Sequence, residues 1–378
     1  MRVLHTSDWH VGRTFHGVDL LSDQRTVLQA IAALVQEHRV DVVVIAGDLY
    51  DRAVPSAEAI SVLTGAFAAI RAAGAVIVAS SGNHDSAPRL GAFREFLDAG
   101  GLHLRTDVRA VGTPIVLHDE HGPVIFHAIP YLDPEMVRGP WELTGRLRHE
   151  EILTAAMQRI RGDLDARPGC RSVVLAHAFV TGAVPGGSER SIAVGGVESV
   201  SAEIFDGVGY VALGHLHGRQ RIADHIRYSG SPLPFSFGEA GHHKGVLIVD
   251  IDGAGSIDVT PVDLPVPRPL AEISGTLEQL LSGHDELAEH YLSVTLTDPV
   301  RPLESMRRVR SRFPHAVTLS WQPPVGSVDD DAAPTRPGAN DHELVEEFLL
   351  VCRGAGADPV ESAIIDRALA AALQDADR

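Results

Sequence analysis

The sequence has little cysteine, almost no lysine and no long apolar run. Its two cysteines, Cys170 and Cys352, stand far apart and outside any CxxC motif, which argues against a disulfide framework and a thiolate zinc site. Lys244 is the only lysine, and we interpret the preference for arginine as a compositional bias. No apolar run reaches the roughly 18–20 residues of a membrane span, and the first residues do not resemble a signal peptide. We therefore expect a cytoplasmic protein without membrane contact.

Positive charge is scarce as well. The formal net charge is −18 over 378 residues. Non-specific binding to nucleic acid or to an anionic membrane needs a basic field, so the composition argues against both. Any polyanionic substrate would have to be held locally. The hydrophobic content of 44% is that of a globular protein, and the length predicts two or three domains.

The first part of the chain, residues 1–262, alternates buried-strand runs with amphipathic stretches, which predicts an α/β fold. Helices are predicted over Ser22–His38, Ser56–Ala73 and Leu90–Ala99. An apolar stripe formed by Leu90, Phe93, Phe96 and Leu97 is expected to lie in the core, with a subunit contact as the alternative.

A proline cluster near residues 261–270 marks the end of this domain. Residues 268–322 alternate strand and helix patterns and predict a small α/β capping domain. Residues 323–340 are rich in proline, aspartate, glycine and alanine, which predicts a flexible linker. Residues 341–378 predict two amphipathic helices, with Asp341 as an N-cap and Pro359 in a first turn.

Five of the predicted strands end in polar residues. The stretches are VLHTSDWH, VVVIAGDLYD, VIVASSGNHD, SVVLAH and YVALGHLH. Since parallel strands place their carboxyl ends along one edge of a sheet, we expect these polar side chains to converge there. The residues are Asp8, His10, Asp48, Asn83, His84, His177, His215 and His217.

This donor set predicts a pair of divalent metal ions. Carboxylates, an amide oxygen and imidazoles without thiolates suit Mn²⁺, and also Fe or Zn. Two ions about 3.5–4 Å apart need a bridging anion, for which Asp48 is the natural candidate. We expect Asp8, His10 and His217 to complete one ion and Asn83, His177 and His215 to complete the other. His84 then remains as the general acid, and Asp51 is predicted to orient and charge it.

One further pair of histidines is ambiguous. His242 and His243 lie in GEAGHHKG, where a solvated turn is the favoured interpretation and a phosphate contact is the alternative.

The order of the motifs, D-x-H, G-D-x-x-D, G-N-H-D, H and G-H-x-H, resembles that of the calcineurin-like metallophosphoesterase superfamily. Longer stretches resemble the nuclease subunits (SbcD) of bacterial SbcCD-type complexes: TSDWHVGRTFHG, AGDLYDRAVPS, SSGNHDSAPRL, AHAFVTGAVPGGSERSIAVGG and YVALGHLHGRQ. The resemblance is close over residues 1–245. It implies a two-sheet sandwich flanked by helices, a small α/β capping domain and a C-terminal helical hairpin.

The resemblance also implies an activity. Members of this family are Mn²⁺-dependent 3′ to 5′ exonucleases on double-stranded DNA ends and endonucleases on single strands and hairpins, in recombination and repair. They form a homodimer through helices corresponding to residues 56–73 and 88–99, and they join an SbcC-type SMC-like ATPase. This sequence contains no G-x-x-x-x-G-K-[ST], so the partner would hydrolyse ATP. The resemblance makes the same seven residues metal ligands and His84 the catalytic histidine.

The resemblance further implies that residues 341–378 dock on the ATPase, the alternative being that they fold back on their own domain. Two other functions remain open. A phosphatase or cyclic-nucleotide phosphodiesterase could use the same centre, since GDLYDR is close to GDxxDR, although GNHD counts against it. A DNA-end tether with a purely structural metal site is the third hypothesis, and the complete ligand set argues against it.

Overall fold

The computed structural model describes residues 1–145, 147–189, 199–324 and 340–376. The chain divides into two compact units, residues 1–269 and 270–378. The predicted linker over residues 323–340 lies almost entirely outside the described residues. Among the helices that the structure describes, none is long and apolar enough to cross a membrane.

The first unit contains sixteen strands and six α-helices. The strands are β1 (Arg2–Thr6), β2 (Thr14–Phe15), β3 (Val18–Asp19), β4 (Val42–Ala46), β5 (Val76–Ser80), β6 (Leu102–Arg105), β7 (Ile115–Asp119), β8 (Gly122–Ala128), β9 (Arg171–His177), β10 (Phe179–Val180), β11 (Ser199–Val200), β12 (Tyr210–Gly214), β13 (Gln220–Arg221), β14 (Ile226–Tyr228), β15 (Gly245–Ile251) and β16 (Ile257–Asp263). The helices are α1 (Leu21–Glu37), α2 (Ala57–Ala72), α3 (Ala87–Leu90), α4 (Arg94–Ala99), α5 (Pro134–Arg138) and α6 (His149–Asp165). These counts cover the described part of the unit.

Two six-stranded sheets organise this unit. The first has the order β16-β15-β1-β4-β5-β6 and the second the order β13-β14-β12-β9-β8-β7. The strands β1, β4, β5 and β6 run parallel, as do β8, β9, β12 and β14. Three of the four sheet edges are antiparallel strands, β16, β13 and β7, whereas β6 ends the first sheet as a parallel strand. The hairpin of β15 and β16 closes one edge of the first sheet. The two-sheet α/β architecture expected from the sequence is confirmed.

The core lies between the two sheets because their strands are apolar on both faces. All five residues of β4, VVVIA, are buried, as expected for a parallel strand covered on both sides. Val44 and Val78 of the first sheet pack with Phe126 and Leu175 of the second in one hydrophobic cluster. Helix α6 covers the outer face of the second sheet, where its Met157 joins a separate cluster.

The third predicted helix differs from the structure. Instead of one helix over Leu90–Ala99, the chain forms the short helices α3 and α4, which are separated by residues 91–93. The expectation that the apolar stripe lies in the core is wrong: Leu90 and Leu97 are half-buried, and Phe93 and Phe96 are exposed. The side chains of Phe93 and Phe96 are 69% and 81% exposed.

The second unit contains a three-stranded parallel sheet of β17 (Leu270–Gly275), β18 (Tyr291–Leu296) and β19 (Ala316–Trp321). Its described helices are α7 (Leu277–Leu281), α8 (Ser305–Arg312), α9 (Asp341–Arg353) and α10 (Pro359–Ala376). The predicted N-cap at Asp341 is wrong, since Asn340 caps α9. The Asn340 side chain accepts the N–H of Glu343 at 2.9 Å, and the Glu343 carboxylate accepts the N–H of Asn340 at 3.0 Å.

Candidate metal centre

The polar strand ends meet where the edges of the two sheets come together. Strands β1, β4 and β5 of the first sheet lead to Asp8 and His10, to Asp48, and to Asn83. Strands β9 and β12 of the second sheet lead to His177 and to the His215–His217 pair. The sequence predicted a single sheet edge, whereas the structure builds the site from two.

The backbone turns sharply at these strand ends. Asp8, His10, Asp48 and His215 have φ angles of 53°, 45°, 50° and 101°, a region that costs a non-glycine residue roughly 1–3 kcal/mol. Hydrogen bonds between the two neighbouring loops hold it. Asp8 N–H donates to the Gly47 carbonyl at 3.1 Å, and His10 N–H donates to the Asp48 carbonyl at 3.0 Å. The backbone conformation at these four residues directs their side chains into the site.

Two glycines of the motifs allow close approach between loops. Gly47, which precedes Asp48, has a φ of +86°, and a Cβ there would overlap the imidazole of His177. A Cβ at Gly82, which precedes Asn83, would overlap the carboxylate of Asp48. The first letters of GDLYD and GNHD are therefore required for packing around the site.

Three overlapping groups of buried donors can hold a metal ion. Within each group the ligand atoms all lie within 4.8 Å of one another. The groups are Asp8, His10 and His217; His10, Asp48 and His84; and Asp8, Asp48 and His177. Asp8, His10 and Asp48 each belong to two groups, so the three groups form one connected cluster of side chains.

Asp48 lies midway between the two sets of imidazoles. Its Oδ2 atom is 3.5 Å from His10 Nε2 and 3.4 Å from His177 Nε2. On one side, His10 Nε2 is 3.1 Å from His217 Nε2. On the other, His177 Nε2 is 2.9 Å from Asn83 Oδ1. This is the arrangement that a bridging carboxylate requires.

The donor set fits divalent metal ions. Two nitrogens bound side by side to one ion at about 2.1 Å stand about 3 Å apart, which is the separation found between His10 Nε2 and His217 Nε2. The Nδ1 atom of His10 is buried and has no hydrogen-bond partner among the described residues. The other nitrogen, Nε2, faces the remaining donors, so a metal ion bound there would leave Nδ1 to carry the ring proton.

The pKa shifts of His10 and His177, on the two sides of Asp48, have opposite directions. Burial lowers the pKa of His10 well below its ordinary value, although Asp48 opposes this. Burial also acts to lower the pKa of His177, but the carboxylates of Asp48 and Asp8 outweigh it and raise that pKa to about 9. These opposite pKa shifts favour a neutral His10 and a protonated His177 in the metal-free protein, and a metal ion bound at His177 would displace that proton.

His84 belongs to one of the three donor groups, and main-chain atoms make its closest contacts. Its N–H donates to Asp48 Oδ1 at 2.9 Å, and its Nδ1 lies 2.8 Å from the carbonyl oxygen of Asp51. The Asp51 carboxylate is 3.9 Å from the same Nδ1 and 3.3 Å from Nη1 of Arg13. The contact that orients His84 is thus the Asp51 carbonyl, whereas the sequence analysis assigned this role to the side chain.

His215 takes a different place from the other predicted ligands. It belongs to none of the three donor groups found in the described part of the chain. Its N–H donates to both carboxylate oxygens of Asp8, at 3.0 and 3.2 Å, and its ring lies beside that of His177, with centroids 5.3 Å apart. Its role as a ligand stays a prediction.

Sequence reasoning missed the residues behind the ligands. Asp85 accepts the N–H groups of Leu49, Tyr50 and Gly82 at 3.1, 2.9 and 2.9 Å, so it ties the loop after β4 to the loop after β5. Asp85 is the last residue of the GNHD motif, and its place in that motif was the indication of this role in the sequence. A second supporting group, Ser188, Glu239 and Lys244, lies behind His217, and its one signal was that Lys244 is the only lysine.

The chain belongs to the calcineurin-like phosphoesterase family, whose model matches residues 1–219, more than half of the sequence. The family and the buried cluster of histidines and aspartates together define a metal-dependent phosphoesterase that uses divalent ions. Residues 266–347 match a second model, SbcD_C, described as the type 5 capsule protein repressor C-terminal domain. This pair of domains is consistent with the SbcD nuclease subunit and confirms the resemblance noted from the sequence.

The similar solved structures are distant in sequence. A Thermus thermophilus protein, TT1561, is 13% identical over 69% of this chain and 98% of its own, with a TM-score of 0.41. A dimetal phosphatase from Danio rerio is 12% identical over 70% and 98%, with a TM-score of 0.40. GAP50, the anchor in the inner membrane complex of Plasmodium, is 12% identical over 89% and 99%, with a TM-score of 0.41.

Proposed function

We propose that this chain is a Mn²⁺-dependent DNA nuclease subunit that processes DNA ends in recombination and repair with an SbcC-type SMC-like ATPase. Its activities are 3′ to 5′ exonuclease action on duplex ends and endonuclease action on single strands and hairpins. The observation that carries the proposal is the union, in one chain, of a two-metal donor set with an SbcD_C domain. The phosphoesterase domain supports the chemistry, and the second domain supports DNA as the substrate through the resemblance to SbcD nuclease subunits.

Distances in the cluster support the proposed assignment of metal ligands. Asp8, His10 and His217 would hold one ion, and Asn83, His177 and His215 the other. Asp48 would contact both, since its Oδ2 atom is nearly equidistant from His10 and His177. When bound, two divalent ions supply an activated water and neutralise the phosphoryl oxygens. Carboxylates, an amide oxygen and imidazoles without thiolates favour Mn²⁺.

His84 is the proposed general acid. Its Nδ1 lies against the Asp51 carbonyl, which can only accept, so this nitrogen carries a proton and donates it there. When the ring is charged, Nε2 holds the second proton. His84 would release this proton to the departing sugar oxygen as the phosphodiester bond breaks.

A cavity of 730 Å³ beside the Asn83 end of the centre supports a substrate of nucleotide size. Besides Asn83, its lining includes Tyr131, Arg94 and Arg109. Pockets of about 300–1,000 Å³ are typical of ligand sites. An arginine can contact a phosphate and an aromatic ring can stack on a base. Asp85, Asp107 and Asp133 line the same cavity, and Asp107 pairs with both arginines. Bound metal ions would therefore have to supply most of the positive charge that a nucleic acid needs in a protein of net charge −18.

Exposed apolar side chains support the proposed partners. Phe348 of α9 and Ile364 of α10 are 64% and 52% exposed, as expected for an amphipathic helical hairpin that docks on another protein. We assign this role to residues 341–378, after a linker at 323–340. The exposed Phe93 and Phe96 form an apolar patch that supports a homodimer through this region. The nuclease domain is residues 1–262 and the capping domain residues 268–322.

The test is cleavage of an end-labelled linear duplex and a single-stranded circle by the purified chain in Mn²⁺, with and without the ATPase partner and ATP. We expect His84→Gln to lower the cleavage rate by about 10²–10⁴-fold, the usual worth of a general acid, while both metal ions remain bound. His118→Gln, at an exposed position of β7, is the matched control and should behave as the wild type.

Two results would contradict the proposal in different ways. If the wild type hydrolyses a small aryl phosphodiester but cuts no DNA, even with partner and ATP, the chain is a phosphoesterase of another substrate class. If metal-loaded protein bridges DNA ends with the ATPase and hydrolyses neither substrate, it is a tether with a structural metal site.

A further inference from the structure

The only lysine of the chain is buried behind the metal centre. Lys244 is 3% exposed, and its ammonium group donates to the His217 carbonyl at 2.7 Å, to Ser231 Oγ at 3.0 Å and to Glu239 Oε2 at 2.6 Å. A buried ammonium is costly unless its donors are satisfied and its charge is paired. Here all three N–H groups have acceptors, so the site is built to hold a charged lysine.

Glu239, the ion-pair partner of Lys244, is the next group in the chain of contacts. It is 1% exposed, and its Oε1 atom lies 2.5 Å from the hydroxyl of Ser188 and 3.1 Å from the hydroxyl of Ser236. A carboxylate paired with an ammonium is ionised and can only accept hydrogen bonds. The Ser188 hydroxyl must therefore donate its single proton to Glu239.

This assignment fixes the proton on His217. The Ser188 oxygen also lies 2.6 Å from Nδ1 of His217. Since its proton points to Glu239, the Ser188 oxygen can only accept from the imidazole, so Nδ1 of His217 carries the ring proton. Nε2 is then left with a lone pair, and this is the atom that lies 3.1 Å from His10 Nε2 inside the donor cluster.

The loop that carries Ser188 is fastened to the same strand end. The Glu189 carboxylate accepts the N–H groups of Gly186, Gly187 and Ser188 at 2.8, 2.7 and 3.0 Å. It also accepts the N–H of His217 at 3.1 Å. Ser188 therefore meets His217 in one fixed geometry, on a loop whose own backbone donors are satisfied.

We propose that Ser188, Glu239 and Lys244 form a chain of hydrogen bonds, called the relay here, that fixes the tautomer of His217 and directs its Nε2 atom toward a metal ion. They are positioning residues: each acts through His217 and none touches the substrate. The proposal rests on the two-ion site described above but not on its substrate being DNA. Nδ1-side hydrogen bonds of this kind fix ring orientation and raise ligand basicity, and their loss typically lowers metal affinity by about 10–100-fold.

The experiment compares Ser188→Ala with Ser188→Thr, which keeps the hydroxyl, and with Ser22→Ala, an exposed serine of α1, as control. Calorimetric titration of the metal-free proteins with Mn²⁺ measures each ion separately. We expect Ser188→Ala to weaken one ion by about 10–100-fold and leave the other unchanged. Ser188→Thr should restore most of the affinity, and Ser22→Ala should match the wild type.

A second measurement needs no metal and no activity. Long-range proton–nitrogen NMR spectra of ¹⁵N-histidine-labelled, metal-free protein report which ring nitrogen carries the proton, and His217→Gln identifies the signals of His217. We expect protonated Nδ1 in the wild type and a mixture of tautomers in Ser188→Ala and in Glu239→Gln. An unchanged tautomer together with unchanged affinities in both variants would overturn the relay. Wild-type protein that shows the relay but cuts no DNA would overturn only the proposed substrate.

Discussion

The two halves of the metal centre hold their histidines in different ways. In the relay half, formed by Asp8, His10 and His217, side chains orient the His217 ring through Ser188 and the groups behind it. In the main-chain half, formed by Asn83, His177 and His215, Nδ1 of His177 lies 2.9 Å from the carbonyl oxygen of Ala46. His217 is thus oriented by replaceable side chains and His177 by a main-chain carbonyl.

This difference determines which amino-acid substitutions each half of the site tolerates. A carbonyl cannot be removed by substitution, so the Nδ1 contact of His177 is as stable as strand β4, whose residues are all buried. The relay half depends on groups contributed by three separate segments. Mutation should therefore weaken the relay half one contact at a time, whereas the main-chain half should fail only when the backbone around it is displaced.

The largest expected effect comes from displacing that backbone with Gly47→Ala. The new methyl group would overlap the His177 ring, and the φ of +86° disfavours any side chain there. We expect the protein to lose the ion of the main-chain half, with its phosphodiesterase activity, and to lose about 1–3 kcal/mol of unfolding free energy. Metal content after dialysis and urea unfolding measure the two effects.

Gly65→Ala is the matched control for this prediction. Gly65 lies on the exposed face of α2 with open space around its Cα, so the same change should stabilise the helix by up to about 1 kcal/mol. If Gly47→Ala kept both ions and its stability, the main-chain half would be adaptable and the contrast between the halves would fail.

The next smaller predicted effect is the release of a proton on metal binding, which should occur at His177 and not at His10. Because Asp48 and Asp8 outweigh burial and raise the pKa of His177 to about 9, metal binding at pH 7 must displace about one proton there. His10, whose pKa is lowered by burial, has none to lose. Calorimetry in two buffers of different ionisation enthalpy counts the released proton, and the affinity of this ion should rise with pH until about 9.

The same shift predicts the pH dependence of the metal-free protein. A histidine whose pKa rises on folding contributes its full stabilisation below its ordinary value of 6.5, and this is lost as pH rises through about 9. His177→Gln should abolish both the proton release and this part of the pH dependence. Binding heats at pH 7 that are identical in the two buffers would show that His177 is already neutral.

The predicted metal ligands lie in short sequence motifs, so they could be recognised from the sequence. The residues that position these ligands could not be recognised in this way. Asp8, Asp48 and Asn83 each follow an apolar strand directly, so a few neighbouring letters specify strand, turn and donor together. Glu239 and Lys244 both lie in GEAGHHKG, but Ser188 belongs to a loop 51 residues before Glu239, so no short motif contains all three. The solitary lysine was the visible signal, and we had attributed it to composition.

The helix and core errors have a similar origin. The sequence pattern of an apolar stripe is the same whether the stripe faces the core of its own domain or a partner. In the structure, Phe93 and Phe96 are exposed. The cap of α9 was misplaced by one residue because Asn340 and Asp341 are both good N-caps, and only the reciprocal contact with Glu343 distinguishes them.

The smallest expected effect concerns Asp51, which sequence reasoning paired with His84 through its carboxylate. The structure gives His84 a main-chain contact like that of His177, from the Asp51 carbonyl at 2.8 Å. Asp51→Asn keeps this carbonyl and removes a charge 3.9 Å from the ring. Such a pair contributes up to about 1 kcal/mol, so we expect kcat to fall by less than about tenfold.

Initial rates on an aryl phosphodiester in Mn²⁺ measure the effect of Asp51→Asn beside wild type and His84→Gln. A loss as large as that of His84→Gln, with both ions still bound, would mean that the carboxylate holds the acid. His84 would then belong with His217, among the histidines that depend on side chains.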